Sequence, residues 1–393
     1  LRIITGATHY GVWRYLISAG TARLADEMLV LALVLLVRWR TGDDVLSGVV
    51  LAAYTFPSIV SGPLLGAWLD RARRPAIALA GNQFVLGVMA CALVFADAGW
   101  MPVLAFAAGL TLPLTSGGFT SMLPRLDADL PRVTAYDSML FSASAVAGPA
   151  LTGVLSAAIS PVTAVVVICA LSVAGGLCTV TLKLGPAPES SHGSLRAALR
   201  AGARHMVRTR PLLAATVTSV LSHGAIGVLA IALPAHVVSL GQRDGLAGLV
   251  WAVLDVGCVV SLVVMRRHLA RWPPERILFT TVALYGLSLA LWPVAPNFAV
   301  LLGLALLSGT VMGPTLASLI TARQRYSPAD LLGQVSTTGA SMKIGAYALG
   351  AAIGGPLLGL GSSTVLLIVA ACQLVAVAAG LLAMISSVDT PAA

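Results

Sequence analysis

Gly62-Pro-Leu-Leu-Gly-Ala-Trp-Leu-Asp-Arg-Ala-Arg-Arg-Pro75 closes an apolar run that begins near Val45 and stops on one acid followed by three arginines. Crossing a bilayer takes roughly 20 apolar residues in a helix. Asp70, Arg71, Arg73 and Arg74 stand where such a helix would leave the membrane. Basic residues clustered at that point mark a cytoplasmic face.

The rest of the chain has the composition of a membrane protein. Of 393 residues, 58% are hydrophobic and only 10% are charged, whereas soluble domains carry about 25% charged residues. Apolar runs bounded by charges or Pro/Gly turns occur at 15–37, 45–69, 76–96, 99–123, 138–159, 162–182, 212–239, 245–265, 277–294, 298–320, 334–358 and 363–386. Three charge-free stretches, Ser138–Leu182, Ile277–Ala322 and Ile344–Val388, are too long for one crossing. They divide at Ser160-Pro161, at Pro293–Asn297 and at Gly359–Ser363. The expected fold class is all-α and polytopic, with twelve transmembrane helices.

The net charge of +9 is distributed as a topology signal rather than as a nucleic-acid footprint. With a cytoplasmic N-terminus, the even-numbered loops hold 17 of the 24 Lys and Arg residues. The opposite loops hold only Arg38, Arg40 and Arg243. That asymmetry predicts both termini in the cytoplasm. No nucleic-acid partner is expected. The first apolar span carries Arg23, Asp26 and Glu27, unlike a signal-peptide core. The chain begins at Leu1, which leaves the completeness of the N-terminus open. Cys91, Cys169, Cys178, Cys258 and Cys372 all lie in apolar spans without a Cys-x-x-Cys pair, as small apolar residues do.

The longest polar stretch, Gly185 to Arg210, divides the chain into two sets of six spans. The expected domains are therefore 1–184, a cytoplasmic linker at 185–210, and 211–393. Within the linker, Arg196, Arg200 and Arg204 recur every fourth residue, with Leu195, Ala198, Leu199 and Met206 largely on another side. This predicts an amphipathic helix along the cytoplasmic surface. An offset of about 200 residues aligns Arg23 with His223 and Ala32-Leu33 with Ala232-Leu233. Gly148 and Gly153 fall near Gly350 and Gly355 at a similar offset. Asp70 then meets Ala270, so the acidic loop belongs to the first half alone.

The loop resembles the signature between the second and third helices of the major facilitator superfamily. That pattern is Gly, three residues, Asp, Arg, two residues, then Arg or Lys. Gly66, Asp70, Arg71 and Arg74 occupy its positions, with Arg73 where the family usually has Gly. The resemblance implies two pseudo-symmetric six-helix bundles with internal repeats and a midplane site. It also implies that the loop acts as a latch. Asp70 would face the start of helix 11 near Leu332–Ser336, while Arg71 and Arg74 tie neighbouring helix ends. In helix 5, Gly148-Pro149-Ala150-Leu151-Thr152-Gly153 resembles the Gly-Pro-x-x-Gly-Gly motif of family antiporters, with Thr152 at a usual Gly. Plain glycine-mediated packing is the alternative reading. Helix 11 carries a related Gly354-Gly355-Pro356-Leu357-Leu358-Gly359. Helix 4 lacks, between Asp97 and Arg125, the Arg that many proton-coupled drug exporters place there. This is similar to the shorter exporter branch that includes siderophore and macrolide exporters.

Ionisable groups inside spans are the candidate functional residues, since each costs about 2.5–3.5 kcal/mol to insert. They are Arg23, Asp26 and Glu27 in helix 1, His223 in helix 7, Asp255 in helix 8 and Lys343 in helix 11. Asp26 and Glu27 point about 100° apart. Arg23 can pair with either, leaving the other as a coupling-proton site. Asp26 is favoured for that role, with a purely structural ion network as the alternative. Asp255 is expected either to pair with Lys343 or to contact substrate, and Lys343 could equally hold an anionic substrate group. His223 shuttles protons or is held structurally.

The expected function is a proton-coupled exporter of a small amphipathic compound: a drug, natural product or siderophore. Import of a small metabolite and lipid handling by the same fold are the alternatives. No Gly-x-Ser-x-Gly, His-Glu-x-x-His or Gly-x-x-x-x-Gly-Lys-Ser/Thr motif occurs, so neither catalysis nor nucleotide use is expected. No catalytic residue, metal or cofactor is expected. The expected partners are a small-molecule substrate, protons and the lipid bilayer. The expected state is a monomer in a bacterial cytoplasmic membrane.

Overall fold

The computed structural model describes residues 6–72, 74–126, 129–185, 195–269, 272–328 and 331–385, and every regular element among them is helical. Among the described residues, ten helical segments are long and apolar enough to cross a membrane, one of them, Asp44–Gly62, running through Pro57. Their outward faces are apolar too. Val88, Val166 and Leu177 are exposed, as are Val264, Leu349 and Leu382 (70%, 66% and 65%). In water a surface of this kind would aggregate; against lipid tails it is the expected exterior. The protein is a multi-pass membrane protein.

The chain forms two compact units, Leu1–Ser191 with Arg243–Ala252, and His192–Gln242 with Val253–Ala393. The first contains α1 (Gly6–Thr41), α2 (Asp44–Thr55), α3 (Ser58–Arg71), α4 (Pro75–Phe95), α5 (Met101–Gly109), α6 (Phe119–Ser121), α7 (Leu130–Ala158) and α8 (Pro161–Val180). Here α1 packs on α7 and α8, and α4 packs on α8. Asp43 caps α2 through Val45 N and Leu46 N, and Ser160 caps α8 through Thr163 N. α1 is long enough to span but is not among the ten candidates, because Arg23, Asp26 and Glu27 occupy its middle.

Two expected spans in this unit are interrupted. In the 45–69 run the hydrogen-bond ladder lapses between α2 and α3 at Pro57, which lacks an N–H, while the helical path continues through it as Asp44–Gly62. The 99–123 run divides after α5. Pro113 is followed by a π-helical turn at Leu114–Gly118, then α6 and a 3₁₀ turn at Leu123–Arg125. Asn82 of α4 donates to the Thr111 carbonyl and to Thr115 Oγ1, both at 3.1 Å, and so supports the break.

The second unit contains α9 (Leu195–Arg208), α10 (Arg210–Ser239), α12 (Pro274–Leu289), α13 (Phe298–Tyr326), α14 (Leu332–Leu357) and α15 (Ser362–Ile385). α11 (Ala247–Leu269) starts in the first unit and continues in the second. The pairings of the first unit recur: α10 packs on α14 and α15, and α12 packs on α15. One close approach recurs residue for residue. A Cβ on Gly109 would strike the Tyr54 carbonyl, and a Cβ on Gly309 would strike the Leu254 carbonyl.

α9 is the helix expected in the linker, with Leu195, Ala198 and Leu199 outside the described side chains. It is tied down by its last turn. His205 Nε2 lies 2.8 Å from the Tyr326 carbonyl, and Met206 is buried with Leu212 and Val335.

Candidate functional site

The charged residues of α1 sort by direction. Side chains in a helix lean toward its N-terminus, and Arg followed by an acid is the weaker order for an i, i+4 pair. Arg23 accordingly reaches back to α7. Its Nη1 donates to Asp137 Oδ1 at 2.7 Å and to the Asp137 carbonyl at 3.1 Å. Its Nη2 donates to Asp137 Oδ2 at 3.1 Å and to Thr120 Oγ1 at 2.8 Å. Tyr15 and Thr120 each donate a hydroxyl to the same carboxylate, at 2.7 and 2.9 Å. Phe141, one turn beyond Asp137, lies under the guanidinium at 5.3 Å. The expected pairing of Arg23 with Asp26 or Glu27 is therefore corrected: its acid is Asp137.

The apolar run of the fifth expected span starts at Ser138 and leaves Asp137 outside it, but α7 begins at Leu130 and carries Asp137 two turns into the helix. A readable signal was its spacing from Gly148, three helical turns along the same face. Thr120 had no such signal. It reaches Arg23 because the chain breaks at Pro113 and the π-helical turn.

With Arg23 engaged elsewhere, Asp26 and Glu27 are left without it. Asp26 is buried, and the Tyr54 hydroxyl of α2 donates to its Oδ1. Tyr54 is itself fully buried, at the point where Gly109 lets α5 close on its carbonyl. Glu27 is half-buried and faces Gly148 of α7, where an added Cβ would come within 2.5 Å of the Glu27 Cβ. Thr152 Oγ1 donates to the Met28 carbonyl at 3.0 Å, so the motif's departure from Gly supplies a hydrogen bond to α1. Gly153 serves a different neighbour: a Cβ there would strike the Gly245 carbonyl and the Gly248 backbone. Pro149 lies between them, inside α7.

In the second unit the structure brings Lys343 of α14 and Arg323 of α13 close enough to His223 of α10 to act on it by charge, and Arg323 close enough to act on Lys343. The expected alternatives for Asp255 were Lys343 and the substrate, and among the described residues the charged neighbours of Lys343 are basic. Asp255 is half-buried on α11 near Cys258 and Tyr285. Arg323 falls beyond the apolar run 298–320, yet it lies inside α13 and is only 8% exposed.

The latch residues are described only in part. Gly66, Asp70 and Arg71 lie in α3, but their side chains are outside the described residues, as is the whole of Arg73. Arg74 is exposed at the start of α4. Among the described residues no group of three His, Cys, Asp or Glu side chains is placed to hold a metal ion.

Two helical units repeating one packing scheme, with ionisable groups buried or half-buried along α1, α10 and α14, define a solute transporter of the membrane. Residues 15–343 match the family model of the Major Facilitator Superfamily, and the chain belongs to that family. It is 30% identical, over 88% of both chains, to the uncharacterized MFS-type transporter y4rN of Sinorhizobium fredii (strain NBRC 101917 / NGR234). Its fold is similar to the crystal structure of nucleoside transporter NupG, with a TM-score of 0.80 and 14% identity over 96% of this chain and 100% of that one. A bacterial homolog of the human lysosomal transporter Spinster, in an inward-facing and unoccupied conformation, gives a TM-score of 0.70. Its identity is 12%, over 98% of this chain and 96% of that one. At these identities the two structures show the fold alone.

Proposed function

We propose that the protein is a proton-coupled secondary transporter that exports a small organic compound by alternating access. The twelve crossings expected from the sequence would comprise the ten candidate helices, α1 and the broken segment from α5 to the 3₁₀ turn. Both termini would lie on the cytoplasmic side of a bacterial cytoplasmic membrane.

The observation that carries this reading is the separation of Asp26 from Arg23. Arg23 is held by Asp137, and the hydrogen bond recorded for Asp26 comes from a neutral donor, Tyr54. A buried carboxyl that is not half of an ion pair can take up and release a proton without breaking one. Ionisable groups at membrane depth are costly, and they mark ion and proton pathways. The likeness of Gly148-Pro149 to the antiporter motif supports the outward direction. Asp70, Arg71 and Arg74 would control alternation, and coupling would belong to Asp26.

A tolerance screen in an exporter-deficient host would supply a substrate. Uptake of that compound into inside-out vesicles under a proton gradient then tests both direction and coupling. Accumulation is expected, and Asp26→Asn is expected to abolish it while the protein stays folded. Wild-type rates in that variant at every pH would remove Asp26 from the mechanism. Uptake by whole cells without accumulation in the vesicles would reverse the direction.

A further inference from the structure

We infer that Arg323, His223 and Lys343 bind an anionic group of the transported molecule, a carboxylate or a phosphate, so that the cargo is an organic anion. The inference rests on the transporter reading for the identification of the ligand as cargo.

Its starting point is the guanidinium of Arg323. The side chain is more than nine-tenths buried, and Nη1 reaches the Ser336 carbonyl at 3.3 Å. Nε and Nη2 have no hydrogen-bond partner among the described residues. Buried charges in proteins are ordinarily paired and hydrogen-bonded, because an isolated one is expensive. Two donors on one face of a guanidinium are also the fork that binds an oxyanion bidentately. Gly339 lets the guanidinium lie directly against α14, since a Cβ there would come within 2.5 Å of Nη2.

Lys343 stands one turn after Gly339 on the same face of α14. It is half-buried, and no hydrogen bond or ion pair to it is recorded among the described residues. His223 adds a ring from α10, with the Ser219 carbonyl as its backbone partner. Three basic side chains thus converge from three helices of one unit. Among the described residues the charged neighbours of His223 are Lys343 and Arg323, and that of Lys343 is Arg323, all of them cations. A ligand carrying negative charge would supply the missing pairing.

A lipid headgroup phosphate offers the same chemistry, so the test separates the two sources. The full chain is purified in a non-ionic detergent, and its thermal unfolding is followed with benzoate, phenyl phosphate and benzenesulfonate. Each anion is paired with its neutral counterpart: benzamide, phenol and benzenesulfonamide. A second series adds phosphatidylglycerol against phosphatidylcholine. At least one soluble anion is expected to raise the unfolding temperature while its neutral counterpart does not. Arg323→Gln or Lys343→Gln should weaken that binding by about 10- to 100-fold, as expected for lost hydrogen bonds to a charged group.

Should Arg323→Gln fail to elute as a single folded species, Lys343→Gln and the charge-keeping Arg323→Lys carry the test. The first should lose affinity, and the second should retain more of it than the first. No response to any soluble anion, equal responses to the neutral partners, or a response unchanged by Lys343→Gln would overturn the inference. A response to phosphatidylglycerol alone would replace cargo with lipid. Because binding is read without a gradient, it stands or falls separately from the Asp26 transport test.

Discussion

The two units share a packing scheme and part company in how they handle charge. The spacing that relates Gly148 to Gly350 also relates Asp137 to Gly339 and Phe141 to Lys343. In the first unit Arg23 is neutralised by Asp137, flanked by Phe141, and hydrogen-bonded through Tyr15 and Thr120. In the second, His223 stands where Arg23 would be, the acid has become Gly339, and the aromatic ring has become a lysine. The first unit therefore closes its ion pair internally and leaves an acid, Asp26, for other work. The second leaves cations. Duplication preserved the helix contacts because backbone-to-backbone approaches tolerate no added atoms.

The largest effect should come from Asp137→Asn. Breaking a buried ion pair by removing one partner costs about 3–5 kcal/mol, because Arg23, 2% exposed, would keep its charge. The purified variant should unfold well below the wild-type temperature. Adding Arg23→Gln should recover much of the loss, since the cost lies in the stranded charge. A single variant as stable as the wild type would mean that the two units do not differ in the way described. No corresponding loss is expected for Lys343→Gln, which removes one of several like charges.

Shared packing gives a paired test of middling size. Gly109→Ala and Gly309→Ala each place a methyl against a backbone carbonyl, of Tyr54 and of Leu254. A carbonyl in a helix cannot rotate away as a side-chain tip can. Overpacking of this kind costs about 1–3 kcal/mol, and the two substitutions should lower the unfolding temperature by similar amounts. Gly109→Ala should in addition slow transport, since Tyr54 carries the hydroxyl on Asp26. A transport loss in Gly309→Ala as large as in Gly109→Ala would detach that effect from Tyr54.

The helical membrane class and the repeat were legible because they rest on long apolar runs and on glycines at matched spacing. Partners across helices were not. Arg23 had Asp26 and Glu27 within reach along its own helix, and nothing local reveals that side-chain lean favours Asp137 on another. Reading Asp137 as a loop residue followed from ending the span where apolar residues end, although helices run on past the hydrophobic edge. Arg323 was missed for the same reason. Tyr54 was silent because a buried tyrosine in an apolar run looks like core until its hydroxyl is seen on Asp26. The charges that look most alike in the sequence, Arg23 and Lys343, turn out to be the most different in their surroundings.

Tyr15→Phe should give the smallest effect, and it tests whether the Asp137 carboxylate is over-supplied with donors. The substitution removes a 2.7 Å hydrogen bond but keeps the ring, which packs edge-on against Phe119 at 6.2 Å and stays within the same apolar cluster. Asp137 would retain two donors from Arg23 and one from Thr120. Its charge would remain paired, so only the net value of one hydrogen bond, about 1 kcal/mol, should be lost. The unfolding temperature should fall slightly, and transport should be nearly unchanged. If Tyr15→Phe instead destabilised the protein as much as Asp137→Asn, the guanidinium would not be the dominant partner. The first unit would then hold its acid by hydroxyl donors, as it holds Asp26, and its contrast with the second would rest on Tyr15 rather than on Arg23.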